Sequence, residues 1–584
     1  MSNKSGAFVF VKHDSIGAND ADMDDHFLRD CFEDTGDVDV LADLNKSKNK
    51  CIVVGRTGAG KTALLSELGR RFPDRVIRVR PETLSLNYVS NSNTIQLLTR
   101  AGLNLDPFYK LLWRHVLAVT VLQIQFDIAN ADAQKSLFTR IMEHFESSDV
   151  RQRRQHERKR HKRVVEYLSR WGSSFFEAPD VRTQEVTKTF ERQIEDEVGD
   201  DSTLSAMIGA DAASLSANIG QSDAHSETTV ESHQEVVRVQ KKVQQAVDSI
   251  LVQQLSGIVD LLDEVLDDPQ KPVYLTVDRL DEDWVVDDEV RLRLLKGLLD
   301  TAREFVRIRH CKLVVALRLD LMHRLFRKLR SETGFQEDKY KSLRVPLSWN
   351  KRQLESLLNK RIERLVRDRY TKQRVTFEDI LPARVRPQGT RRVSTIDYMM
   401  ERTWMRPRDL IEFLNTCIDA AEGTPKITKA MLLESEGRYS LRCLRALAEE
   451  WHGDFPLLSH HIKLLLSQKP SRFVLGKITA EDVMNWALEC DQSDANPRSR
   501  LHEMAVRYCH SDGDSNIEQR IRAQVASVFF RVGVVGLKLV SHQRTLWAGH
   551  DVPNISPAEI DDTATVAIHP ALWRVLGTVE VDFD

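Results

Sequence analysis

Between residues 51 and 80 the chain changes pattern three times. An apolar run, Cys51–Val54, leads into a glycine-rich turn. Thr62–Arg71 then places apolar residues at helical spacing, and Arg75–Arg80 is a second short apolar run. Short apolar runs bounded by turns predict buried strands, and a 3.6-residue period predicts a helix. The same alternation returns later. Val273–Asp278, Lys312–Leu317 and Ser342–Leu347 read as strands, with a long helix over about 288–308 between the first two. Strands alternating with helices predict a parallel sheet covered on both faces.

Roughly 190 residues separate the second strand from the third, where a compact α/β domain needs only a helix and a short loop. The intervening pattern predicts a helical insertion over about 94–265. Within it, 201–234 is rich in Ser, Ala, Gly, Asp and Thr and reads as a flexible loop. An amphipathic helix follows, with Val243, Val247, Ile250, Leu251, Leu255, Ile258, Leu261 and Leu262 on one face.

Four regions are expected on this pattern. They are an acidic segment 1–48 with a short helix near His26–Phe32, an α/β domain 49–349, a helical lid 350–425, and a domain 426–584. The last begins helical and ends in a hairpin-like pair, Val534–Val540 with Arg544–Ala548, followed by Val566–Leu576. Helix, hairpin and the closing Ile568–Trp573 stretch predict a winged-helix-like fold.

Composition changes little in this picture. A length of 584 residues exceeds one ordinary core. Hydrophobic residues at 41% and charged residues at 29% describe a globular, helix-rich chain rather than a disordered one. Net charge is −3, so any polyanion-binding surface must be local. The seven cysteines are scattered without a C-x-x-C pair, which argues against a zinc site or disulfide framework and for a reducing compartment. No apolar run is long enough to suggest a membrane span, and the expected location is cytoplasmic.

The turn after the first strand carries the sharpest chemistry. Gly55-Arg56-Thr57-Gly58-Ala59-Gly60-Lys61-Thr62 fits G-x-x-x-x-G-K-[ST] between a predicted strand and a predicted helix, the context in which that motif is meaningful. The expected nucleotide-binding residues are Gly55 to Ala63. Glycines let backbone amides close around phosphate, and the helix N-terminus adds its dipole. Lys61 can reach the β- and γ-phosphates and Thr62 can ligate Mg²⁺. ATP is expected rather than GTP.

Asp278 closes the Val273 strand, the position from which P-loop enzymes hold Mg²⁺. Arg279 follows it, and Asp281 and Glu282 come three and four residues after Asp278. Those two acids serve either the metal and the attacking water or merely the cap of the next helix. Arg318 and Asp320 end the Lys312 strand; Arg318 is placed either to sense the γ-phosphate or to pair with an acid. Arg406 and Arg408 flank Pro407 at the start of a predicted lid helix; they resemble the sensor-2 arginines by which AAA+ and related lids touch the nucleotide, and salt bridges within the lid are the alternative.

Asp278-Arg-Leu-Asp-Glu-Asp resembles the acidic segment of STAND-type signalling NTPases, the NACHT and KAP groups. Together with the glycine loop, Val314–Leu321, Gln336–Tyr340, Trp349 and Arg406–Asp409, the chain is similar to a bacterial family of STAND/KAP-like P-loop ATPases over about residues 5–425. The resemblance implies an ATPase switch. It implies catalytic roles for Asp281, Glu282, Arg318, Arg406 and Arg408, and metal ligation by Thr62 and Asp278. It also implies self-association or a separate effector protein, in some members within phage-defence neighbourhoods.

The densest basic run, Arg151–Arg163, suits either a phosphate backbone or a solvated helix face balanced by nearby acids. With the winged-helix-like end it leaves open a DNA-binding protein of the initiator or loader type. His569 lacks metal-ligand neighbours at the usual spacing and reads as a structural histidine.

Overall fold

The computed structural model describes residues 8–81, 89, 92–100, 103–125, 184, 187–192, 244–245, 258–280, 288–330, 336–369, 375–386, 392–491, 500–509, 515–540, 544–548 and 554–581. The chain divides into two compact units, Gly36–Arg56 with Leu64–Leu347, and Met1–Thr35 with Thr57–Ala63 and Ser348–Asp584.

The first unit is built on a five-stranded sheet: β1 (Ile52–Gly55), β2 (Val76–Val79), β3 (Val273–Val277), β4 (Cys311–Arg318) and β5 (Arg344–Pro346). Their order is β2-β3-β4-β1-β5 and each pairing is parallel. β3 is buried along its whole length and β4 up to its last residue, which is why both read as continuous apolar runs. Helix α1 (Lys61–Arg71) buries Leu64, Leu65 and Leu68, and α2 (Leu319–Arg330) buries Leu321, Met322, Leu325, Phe326 and Leu329.

Part of the expected insertion belongs to this core. Helix Asp106–Gln125 buries Phe108, Leu112, Trp113 and Leu117 in the same cluster as the strands. The Trp113 indole N–H donates to the Leu294 carbonyl at 2.9 Å, on helix Asp288–Phe305. The 201–234 loop and the Arg151–Arg163 run lie outside the described residues.

Residues 36–48, expected in a separate N-terminal segment, are also part of this unit. Val38 and Leu41 are fully buried. From β4, the Lys312 ammonium donates to the carbonyls of Val40 (2.8 Å), Asp43 (3.1 Å) and Ser47 (2.8 Å). Burial pushes its pKa down to about 8. Replacing it with Met strips three carbonyls of their donor, and each buried polar group left unmade costs about 1–3 kcal/mol. We therefore expect Lys312→Met to lower the denaturation midpoint, with a loss of about 2 kcal/mol or more; an unchanged urea midpoint would remove this anchoring role.

The second unit joins the beginning of the chain to its C-terminal region. Its helices include α3 (Lys351–Arg369), α4 (Pro407–Ala420) and α5 (Lys429–Glu450). A two-residue ladder pairs β6 (Arg384–Val385) with β7 (Val393–Ser394). A three-stranded antiparallel sheet has the order β8-β10-β9, from β8 (Arg472–Val474), β9 (Val535–Lys538) and β10 (Thr565–Ile568). The sequence pattern missed β6, β7 and β8, which are too short to show a period.

One hydrophobic core runs from Phe10 to Leu576, so the expected boundary near residue 425 falls inside it. Phe413 of α4 stacks on Tyr439 of α5 with ring centroids 4.6 Å apart. Trp404 donates to the Gly533 carbonyl at 3.0 Å and stacks on His569 at 4.7 Å. His569 also accepts from the Ala571 amide, as a structural histidine does. The expected hairpin is present in part: Leu546 pairs antiparallel with Leu537, while the longer ladder of β9 is with β10. Gly536 permits that crossing, since a Cβ there would lie 2.6 Å from the Trp547 ring.

Residues 8–35 are held in this unit by buried polar contacts. Phe10 and Ile16 are fully buried, and the Phe10 amide donates to the Thr424 carbonyl at 3.0 Å. Arg361 of α3 donates to the Ile16 carbonyl (2.9 Å) and grips both Asp24 carboxylate oxygens (3.2 and 2.5 Å). Among the described residues no helix is long and apolar enough to cross a membrane.

Candidate functional site

In open α/β sheets, ligands bind outside the carboxyl ends of the strands. At that edge of the first unit, Gly55 at the end of β1 pairs with Arg318 at the end of β4. Asp278 directly follows β3, whose last residue, Val277, pairs with Val315 of β4. The Asp278 carboxylate accepts from the Arg279 amide at 2.9 Å, and Arg279 holds a left-handed backbone (φ 58°). That conformation is uncommon outside glycine and turns the chain sharply as it leaves the strand. Arg318 is engaged by Asp320 in a bidentate pair, Nε at 3.0 Å and Nη2 at 2.8 Å, so of its two expected roles the acid pair is the one present here. Asp281 and Glu282 lie outside the described residues.

Within the second unit, the glycine loop is held by its carbonyls. Arg406 donates from Nη1 to the Thr57 carbonyl at 2.8 Å. The Arg408 amide donates to the Gly58 carbonyl at 3.4 Å, and the Trp349 indole N–H to the Ala59 carbonyl at 2.9 Å. A trans peptide sets each C=O opposite the following N–H. The amides of Gly58, Ala59 and Gly60 therefore face away from these three donors.

Gly58 (φ 78°) and Gly60 (φ 95°) supply the two left-handed positions. A Cβ on Gly58 would lie 2.6 Å from the Arg408 Cβ, so steric space demands glycine there as well. Lys61 and Thr62 open α1 immediately afterwards.

Arg406 is fixed in place. Its Nε and Nη2 donate to Asp409 at 2.6 and 3.2 Å, and its guanidinium lies 5.1 Å from the Trp404 ring centre. Burial opposes its charge, but the Asp409 and Glu450 carboxylates outweigh that and raise its pKa. Arg408 donates from Nε to the Asn19 carbonyl at 3.1 Å. Arg406 and Arg408 thus sit beside the loop, with their guanidinium groups engaged by protein atoms.

One contact had no sequence signal. Glu450, the last residue of α5, accepts from the Thr57 hydroxyl at 3.1 Å and stands 4.0 Å from Arg406 Nη1. It lies almost 400 residues after Thr57, and an acid at a helix end is unremarkable in a sequence.

Residues 352–448 match the FunZ-associated C-terminal helical domain family, a span running from the first turn of α3 nearly to the end of α5. No curated protein matches the chain.

Proposed function

We propose that the protein is a Mg²⁺-dependent ATP-binding and ATP-hydrolysing switch of the P-loop class, acting through self-association or a separate effector protein. The observation carrying this reading is the glycine loop itself, a G-x-x-x-x-G-K-T turn between a parallel strand and a helix. Two of its three glycines, Gly58 and Gly60, are left-handed, and three of its carbonyls are turned to Arg406, Arg408 and Trp349. The sheet order, with β4 between β1 and β3, further supports it, since this is the order of ASCE-type P-loop ATPases.

In this reading the amides of residues 55–63 and the Lys61 ammonium bind the phosphates, while Thr62 and Asp278 hold Mg²⁺. Bound Mg²⁺ neutralises charge on the β- and γ-phosphates. Asp281 or Glu282 orients the water. Arg318, Arg406 and Arg408 are the candidate cations for charge developing on the phosphoryl group, each on leaving its present partners: Asp320, Asp409 with the Thr57 carbonyl, and the Asn19 carbonyl. The STAND/KAP resemblance supports the switch role and the phage-defence setting, and the cytoplasm is the expected location.

The test is turnover and calorimetry with ATP at graded Mg²⁺. Asp278→Asn is expected to bind ATP while shifting the Mg²⁺ requirement upward by about tenfold or more, because the metal loses a charged ligand. A parent protein that neither binds nor hydrolyses MgATP would sink the proposal.

The DNA-binding alternative draws on the β8-β10-β9 sheet preceded by helices, an arrangement resembling a winged helix. Its basic surface is partly spent inside the protein, since Arg522 pairs with Glu518 and, at 2.7 Å, with Asp562. Salt-dependent binding of duplex DNA in the presence of ATP is the result that favours this alternative.

A further inference from the structure

We propose that Glu450 is a positioning residue of the glycine loop, and that through α5 it couples the loop's state to the C-terminal segment around residues 571–575. The inference rests on the loop being the nucleotide site.

A carboxylate beside a phosphate-binding loop is unfavourable to an anionic ligand, so its presence needs a compensating use. The Glu450 side chain is only 8% exposed and its surroundings define that use. One oxygen accepts from the Thr57 hydroxyl at 3.1 Å. The other stands 4.0 Å from Arg406 Nη1, the nitrogen that donates to the Thr57 carbonyl. Thr57 is therefore gripped at its side chain and its main chain by two residues that face each other. A hydrogen bond to a charged acceptor is worth roughly twice a neutral one.

The middle of α5, between Glu436 and Ser440, is anchored just as firmly. Glu436 is 2% exposed and accepts from Tyr398 Oη (2.6 Å), Arg402 Nε (2.5 Å) and Arg574 Nε (2.9 Å). One turn on, the Ser440 hydroxyl donates to the Ala571 carbonyl at 2.6 Å and accepts from the Val575 amide at 3.1 Å. Glu436 and Glu450 are four helical turns apart, so they project from one face of an unbroken helix at a separation of about 21 Å. A rise or tilt of α5 caused by a change at Thr57 is carried to the contacts with 571–575, because Glu450 and the Glu436–Ser440 turn belong to one unbroken helix.

The experiment is a double-mutant cycle with the full chain, using Thr57→Val, Glu450→Gln and the pair, with Thr57→Ser as the conservative variant. ATP dissociation constants are measured by calorimetry, and hydrogen exchange is followed with and without MgATP. Thr57→Val and Glu450→Gln are each expected to change ATP affinity by about tenfold. The double variant should resemble the single ones rather than their product, and Thr57→Ser should restore parental affinity.

In the parent, MgATP should change amide exchange at residues 571–576, and the variants should lose that change while keeping their unliganded melting temperature within a few degrees. Additive effects, unchanged affinities, or an ATP-induced change at 571–576 that survives Glu450→Gln would each overturn the proposal. If the parent binds no MgATP, the nucleotide reading itself has failed. If parent binding is intact and Lys61-dependent while the cycle is flat, the Glu450 relay alone is wrong.

Discussion

Lys61→Ala is expected to bind MgATP at least a hundredfold more weakly than the parent, a loss of roughly 2.7 kcal/mol. The side chain is the loop's own cation, placed at the first position of α1 directly after Gly60. Removing it leaves the backbone amides and the helix dipole, which carry only partial charges against a triphosphate. The substitution should cost little stability, because alanine is a good helix former and the side chain lies in the half-buried first turn. Calorimetric titration alongside a melting curve checks both halves. Parental affinity in Lys61→Ala would remove the P-loop assignment, and a collapsed melting temperature would make the binding loss uninformative. Gly58→Ala then supplies the independent probe: it must adopt φ 78° and displace Arg408, so it should impair ATP binding while leaving Lys61 intact.

Arg361→Ala should produce the largest loss of stability. Arg361 is 3% exposed, and its buried partner Asp24 would be left charged without its cation. Breaking a buried pair from one side costs about 3–5 kcal/mol. The Ile16 carbonyl loses its donor as well. Since these contacts fasten residues 8–35 to α3, limited proteolysis should cut the variant first within that segment, before the helices of the same unit. A variant that melts like the parent and shows parental cleavage kinetics would mean the N-terminal segment is held by its other contacts, the buried Phe10 and Ile16 side chains and the Phe10 amide on the Thr424 carbonyl.

The centre of the sheet was legible because β1, β3 and β4 are buried on both faces. Cys51–Val54, Val273–Asp278 and Lys312–Leu317 stand out as apolar runs, and they fall within a residue or so of β1, β3 and β4. The glycine loop was legible because its chemistry is local: the spacing of Gly55, Gly60, Lys61 and Thr62 is fixed by one turn of backbone. Asp278 and Arg318 were found through their place at strand ends, where topology puts side chains at one edge of the sheet. These are the parts of the protein in which neighbours in sequence are also neighbours in space.

What surrounds the loop was a tertiary matter. Nothing in the local pattern of Arg406-Pro-Arg408 distinguishes a guanidinium aimed at a ligand from one bound to Thr57 and Asp409; only the packing of α4 decides it. The helical pattern around 350–450 showed amphipathic helices but not that they share one core with Phe10 and Leu576, because each helix presents the same kind of apolar face to any partner. Short strands such as β6, β7 and β8 lack the length to show a period. Residues 36–48 were read with a separate N-terminal segment because, beside Val38 and Leu41, a buried lysine ammonium on carbonyls holds them, and main-chain carbonyls leave no trace in a sequence. The sequence by itself determined the strands of the parallel sheet and the glycine loop, whose constraints are local. Only the tertiary structure decided which long-range side chains, Trp349, Arg406 and Glu450, hold that loop, since their contacts arise from helix packing across hundreds of residues.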